Sequence, residues 1–288
     1  INTPRWLWDT WLATYGENDC RKIAAAHLLG GTLDLSVFGD PSTCLKSLNG
    51  KILPSGTIRT HKKGQISELP GFREGVWWVQ DLAARLVAGL AGDISGKYIL
   101  DLCAAPGGKT AFFIAGGGKV LAVDRSKNRL LRLRENLARL KMSAEIIKAD
   151  ALTWRPEKTA DIVMLDAPCS ATGTARRHPD VLWTKSESDI RNLAYTQKNL
   201  LNAASEMVAP GGILLFATCS LQPNEGHDHI AHFLACHPNF NLLPVTNRDV
   251  YGIDEIIDAP GVIRSLPFHF RDHGSMDGFF AARFQRKN

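Results

Sequence analysis

Tyr98-Ile-Leu-Asp-Leu-Cys-Ala-Ala-Pro-Gly-Gly-Lys-Thr110 decides how this chain folds. The run opens with apolar, β-prone residues, reaches an acid at Asp101, and passes through small residues and two glycines into residues that can start a helix. That order predicts a buried strand delivering a ligand loop. In an open parallel sheet, ligands lie beyond the carboxyl ends of the strands, where a Gly-rich turn lets backbone N–H groups approach them. A cofactor site is expected there.

Downstream, the pattern repeats. Lys119–Asp124 reads as a second buried strand ending in an acid, and the β–loop–helix–β order predicts a parallel crossover. Ser126 can cap a long helix whose Leu130, Leu133, Leu137 and Leu140 line one face. Strands at 144–149 and 161–166 again end beside acids, so Asp101, Asp124, Asp150 and Asp166 are expected along one rim. A helix over 189–208, a strand over 213–217, a helix over 224–237 and strands near 262–266 and 278–284 complete the expected sheet. Upstream, 76–90 reads as one helix carrying Gln80 and Asp81.

Residues 1–72 differ in kind. Two short helices ending at Gly16 and Gly30, a strand over 33–38, and punctuation by Pro41, Gly50, Pro54 and Gly56 predict a small mixed α/β domain, with 73–288 forming the larger one. Its basic run Arg59-Thr-His-Lys-Lys63 is weighed as a phosphate contact or a solvated surface.

With 288 residues, 44% of them hydrophobic, the chain can bury a sizeable core, and its formal charge of +5 is compatible with a polyanionic partner. No apolar run approaches the roughly 18 residues of a membrane span, and a cytoplasmic location is expected. The first residue is Ile and not Met, which leaves the true N-terminus open. Cysteines 20, 44, 103, 169, 219 and 236 contain no C-x-x-C pair, so reduced thiols are expected.

Three ligands compete for the loop. Cys103–Thr110 misses a P-loop because Cys103 stands where Gly-x-x-x-x-Gly-Lys-Thr needs its first glycine, and the successive acids would repel a triphosphate. The dinucleotide pattern G-x-G-x-x-G is absent. S-adenosylmethionine suits the acids: Asp124 for ribose hydroxyls, Asp150 for the adenine amino group, and a cationic sulfonium among carboxylates.

Asp166-Ala-Pro-Cys-Ser170 and Ala217-Thr-Cys-Ser-Leu221 then bring two thiols to the rim. A lone free cysteine is commonly an inert small hydrophobe, but two Cys-Ser pairs beside an acid and a cofactor loop point to chemistry. A thiol beside a methyl donor fits alkylation of a pyrimidine at C5, a poor nucleophile until a thiolate adds at C6. Asp166 is a candidate to stabilise that adduct near N3.

At these residues the chain resembles the Fmu (RsmB)-type ribosomal RNA cytosine-5 methyltransferases of the wider Sun/NSUN family. The resemblance runs from about Gly75 to Arg286 through Gly75-Val-Trp-Trp-Val-Gln-Asp81, the opening stretch, both Cys-Ser motifs, Arg176-Arg-His-Pro-Asp180 and Asp277-Gly-Phe-Phe280. It implies a class I methyltransferase fold, a mostly parallel seven-stranded sheet with an antiparallel final strand. It implies Cys219 as nucleophile, Cys169 in product release, and Cys103, Ala104, Ala105, Pro106, Gly107, Gly108, Lys109, Asp124, Arg129, Asp150 and Asp166 around S-adenosylmethionine. The substrate it implies is 16S-type ribosomal RNA, with tRNA or another RNA as the alternative. A monomer is expected. It also implies that residues 1–72 bind RNA, and that a helical NusB-like domain usually precedes them.

DNA cytosine-5 methyltransferases place their thiol after the fourth strand, which would make Cys169 the nucleophile, and a P-loop phosphotransferase or a silent RNA-binding scaffold are the readings of other classes. Arg176, Arg177 and His178 are expected to clamp a phosphate beside the flipped base. Glu225, His227, His229 and His232 crowd one helix start, but a helix aligns only residues three or four apart, so no metal is expected.

Overall fold

The computed structural model describes residues 2–62 and 64–288. Helix α1 (Arg5–Leu29) is broken at Gly16, whose φ of 77° leaves the helical region, and it stops at Gly30. It packs away from the small sheet. Its Leu7, Trp11, Cys20 and Ile23 bury against Ala175, Leu182, Leu221 and Leu266 of the larger body, and the Tyr15 hydroxyl donates to Leu221 O at 2.6 Å.

Strand β1 (Leu33–Val37), helix α2 (Ser42–Leu48), β2 (Gly50–Ile52), β3 (Ile58–Thr60) and β4 (Trp77–Val79) make an antiparallel sheet in the order β2-β3-β1-β4. Strand β4 corrects the sequence reading, because Trp77 and Trp78 pair with Val37 and Ser36 and are not the start of a helix. Helix α3 (Leu82–Gly89) begins later, with Asp81 as its cap: the carboxylate accepts from Ala83 N at 2.8 Å. Arg59 is also corrected. It is buried in a fork on Asp34, with Nε at 2.7 Å and Nη2 at 2.6 Å from the carboxylate oxygens, so it has no face for a phosphate; Lys63 of the same basic run lies outside the described residues.

The main sheet starts with the opening stretch. Strand β5 (Tyr98–Leu102) leads into helix α4 (Gly108–Ala115), followed by β6 (Lys119–Asp124), α5 (Lys127–Arg139), β7 (Glu145–Lys148) and β8 (Ala160–Asp166). Then come α6 (Glu187–Ser205), β9 (Val208–Thr218), α7 (Asp228–Cys236), β10 (Phe240–Leu242), β11 (Ile257–Asp258), β12 (Val262–Ser265) and β13 (Phe279–Arg286). The order β11-β12-β13-β9-β8-β5-β6-β7, with β10 beside β13, gives nine strands, parallel from β9 to β7 and antiparallel from β13 outward. The count exceeds the expected seven because two short strands, β10 and β11, flank the antiparallel edge.

Alternation along β5 sets the two faces of this sheet. Ile99 joins Leu82, Leu86, Val87 and Phe113 on one side, and Leu100 and Leu102 join Leu200, Leu201, Phe216 and Phe233 on the other. Asp101 therefore faces α4. Helix α5 covers β6 through Leu130, Leu133 and Leu137, each contributing about 1.5–3 kcal/mol by burial. Among the described residues, no helix is long and apolar enough to cross a membrane.

Candidate active site

The loop after β5 is shaped by close backbone approach. Gly107 caps α4 with φ 102°, and a Cβ there would meet Leu133 Cγ at 3.1 Å, so a side chain would be both strained and crowded. The four strand-end acids have different fates. Asp101 is fully buried, accepts from Thr110 Oγ1 at 2.5 Å, and is pushed up to about 7 by burial, so it does not stand on an open rim. Asp124 accepts from Ser126 N at 2.9 Å and Ala105 N at 3.3 Å and pairs with Arg129 at 3.3 Å, which orients its carboxylate across the loop. Asp150 is exposed and accepts from Leu152 N at 3.0 Å, and Asp166 is half-buried.

Two cavities flank the loop. One of about 330 Å³ is lined by Cys103, Asp124, Arg129, Asp150, Asp166, Cys169 and Cys219, with Val123, Leu152 and Leu200 as apolar walls. Burial pushes the Cys103 thiol up to about 12, with Asp124 and Asp166 acting in the same direction, so it remains a neutral wall. The other, of about 410 Å³, is lined by Ala104, Ala105, Pro106, Gly107, Gly108 and Lys109, and shares Asp166 with the first. Lys109 is 8% exposed, yet it donates to Asp166 Oδ2 at 2.7 Å; burial lowers its pKa but the carboxylate outweighs this, so the net shift is upward. A buried ammonium held charged in this way marks the place where the two cavities meet.

Both thiols reach the first cavity, with their Sγ atoms 3.4 Å apart. The hydrogen bond with Cys219 and then burial raise Cys169 well above the ordinary thiol value. Beneath them lies Glu225, which stands among histidines in the sequence. Glu225 is fully buried and accepts from Ser170 N at 2.9 Å, Ser170 Oγ at 2.5 Å, Ser220 Oγ at 2.6 Å and Gln197 Nε2 at 2.9 Å. One carboxylate thus ties together the serine after each cysteine. His229 Nε2 donates to Gln197 Oε1 at 3.0 Å, and burial drops its pKa to about 4. The Ser that follows both cysteines was the signal for this network in the sequence.

The expected phosphate clamp separates into three parts. Arg176 is corrected: its side chain is 1% exposed and pairs with Asp81 at 3.4 Å and Asp277 at 3.5 Å, which leaves the guanidinium no access to a phosphate. Arg177 pairs with the other oxygen of Asp277 and lines the second cavity, and only His178 of the three is free of such an ion pair and exposed. The loop packs tightly against the chain at 278; a Cβ on Gly173 would fall 2.0 Å from Gly278 O.

The donor set suits S-adenosylmethionine: carboxylates at the ends of β6 and β7 for hydroxyl and amine donors, apolar walls for a ring, and carboxylates around a cation.

Comparison with known proteins agrees. A family described as 16S rRNA methyltransferase RsmB/F matches residues 92–285. The chain is 46% identical over 231 residues to the ribosomal RNA small subunit methyltransferase B of Sodalis glossinidius, covering 78% of this chain and 50% of that protein. To the protein of the same name from Erwinia tasmaniensis it is 42% identical over 209 residues, covering 71% of this chain and 49% of that one. The chain spans about half the length of these relatives. Among solved structures, that of PH0851 superposes with a TM-score of 0.85 at 27% identity over 99% of this chain and 66% of that one. The fold is shared with NSun6 of Pyrococcus horikoshii, solved with SFG, at TM-score 0.82 and 18% identity, covering 99% and 98% of the two chains.

Proposed function

The chain belongs to the 16S rRNA methyltransferase RsmB/F family, and from that premise we propose that it methylates C5 of a cytosine in 16S ribosomal RNA through a covalent adduct on Cys219. The observation that carries this reading is the pair of thiols 3.4 Å apart beside the Lys109–Asp166 ion pair. A cytosine ring is not nucleophilic at C5. When Cys219 gives up its thiol proton to solvent and its sulfur bonds to C6, the C5=C6 electron pair is released toward C5 and the ring, and C5 becomes enamine-like. S-adenosylmethionine, when bound, supplies the electrophilic methyl group that C5 takes.

The chain's own residues do the rest. Cys103, Asp124, Arg129 and Asp150 hold the nucleoside end of the donor, and the loop from Ala104 to Lys109 holds the remainder. Lys109, kept charged by Asp166, offsets negative charge that builds on the ring. Asp166 faces N3 and the exocyclic amine. For release, the C5 proton leaves to a base, the C6–S bond breaks as the C5=C6 bond re-forms, and Cys169 gives its retained proton to the departing Cys219 sulfur.

Residues 1–72 are proposed to add RNA affinity, with exposed Lys46, Lys51 and Lys62 as phosphate contacts, and His178 as the remaining member of the loop near the base. Incubation with tritiated methyl donor and 16S rRNA tests the function. The reading predicts label on one or a few cytosines with the wild-type chain and none with Cys219→Ser. Label retained in Cys219→Ser, or found off C5, would overturn it.

A further inference from the structure

We infer that Gln80 is a ligand-binding residue whose side-chain amide recognises the α-carboxylate at the methionine end of the methyl donor, together with the backbone N–H groups that open α4; this rests on the function proposed above. Gln80 lies outside every sequence expectation for the site and is 5% exposed. The orientation of its amide is fixed by its neighbours. Trp78 Nε1 can only donate, and it sits 3.1 Å from one amide atom, while Ser36 Oγ sits 2.8 Å from the same atom. That atom is therefore the oxygen. The NH2 group has no hydrogen-bond partner among the described residues, and Gln80 lines the larger cavity. A buried donor without a partner is costly, and one that lines a cavity is satisfied by whatever fills it.

The surroundings specify that occupant. A Cβ built on Gly108, the first residue of α4, would lie 4.0 Å from Gln80 Nε2, so the amide stands against the start of the helix. The first N–H groups of a helix lack intrahelical partners and favour an anion. In the same cavity, Asp101 Oδ1 is a buried acceptor without a partner among the described residues. Unpaired donors and an unpaired carboxylate oxygen in one cavity match an α-amino-acid head, whose carboxylate takes the donors and whose ammonium takes the acid. The shared lining residue Asp166 joins this cavity to the one holding the nucleoside contacts and the thiols.

Calorimetric binding of two probes tests the assignment. S-adenosylhomocysteine carries the amino-acid head, and 5′-deoxy-5′-methylthioadenosine lacks it. Gln80→Glu keeps an acceptor for Ser36 and Trp78 but opposes a carboxylate, and Gln80→Leu removes the amide. Both variants are expected to lose S-adenosylhomocysteine affinity by about 10- to 100-fold, the range for a hydrogen bond to a charged group, while methylthioadenosine affinity stays within about two-fold of wild type. Equal losses for both probes would reduce Gln80 to a structural role and overturn the inference. So would variants that bind S-adenosylhomocysteine as the wild type does and lose affinity for RNA instead, because the cavity would then hold a nucleotide. A wild-type chain that binds neither probe would sink the methyl-donor reading itself, and the inference with it.

Discussion

The two Cys-Ser loops are near copies in sequence, and their neighbours make them different. Each leaves the end of a parallel strand, β8 for Cys169 and β9 for Cys219, and each sends its serine hydroxyl to the same Glu225 oxygen, at 2.5 and 2.6 Å. Beyond that they diverge. The Cys169 loop is fastened from below through Ser170 N to Glu225 and through Pro168 O to Gln197, both at 2.9 Å, and the Cys219 contact and burial raise its thiol pKa. The Cys219 loop is tied by its carbonyl to Gly173 N at 2.9 Å, and its sulfur is close enough to Lys109 to help raise that ammonium. The two motifs are alike, and it is their neighbours that give the two thiols different surroundings.

Breaking the pair is expected to have its largest effect at Cys219. Cys219→Ser should cut methyl transfer to 16S rRNA by on the order of 10⁴-fold, since a hydroxyl at this position is a far weaker nucleophile for C6. Single-turnover rates measure this. Next comes the shared anchor. Glu225→Gln sets an NH2 among four donors that converge on the carboxylate, so unfolding by urea should show a loss of about 1–3 kcal/mol. Both loops should loosen together, whereas independent loops would lose less. Cys169→Ser should leave attack intact and slow turnover by roughly 10²-fold, the lower range for general acid catalysis, with protein–RNA adduct accumulating.

The smallest effect concerns His229, which contacts Gln197 beneath the loops. Its pKa falls from 6.5 to about 4 in the folded chain because of burial, so the unfolded state binds the proton first. The stability it contributes is fully present above pH 6.5 and is lost as pH falls toward 4. After allowance for relaxation, about 1–2 kcal/mol should disappear over that window, and His229→Gln should flatten this part of the pH–stability curve relative to wild type. Parallel curves would disconnect His229 from the anchor.

Much of this architecture was legible in the chain because its signals are local. Strands buried on both faces read as continuous apolar runs, the acids after them sit next in sequence, and Ser126 caps α5 three residues from Arg129 N, which it accepts at 3.3 Å. The failures have the opposite character. Trp77-Trp78-Val79 sits directly before α3 and reads as its first turn, and only its partner β1, some 40 residues earlier, makes it a strand. Arg176 looks like a solvent-facing loop charge until Asp81 and Asp277 arrive from positions 95 and 101 residues away. Glu225 was crowded by histidines in sequence, and its partner Ser170 lies 55 residues off. Buried polar networks join distant segments, so neither periodicity nor spacing reveals them.

The most direct test of Cys219 as the attacking thiol is intact-mass analysis of the chain after incubation with methyl donor and 16S rRNA containing 5-fluorocytidine, in which fluorine replaces the C5 proton that release must remove. Wild type and Cys169→Ser should both carry a covalent RNA adduct, mapped to Cys219 after digestion, and Cys219→Ser should carry none. An adduct on Cys169, or one that persists in Cys219→Ser, would contradict the account.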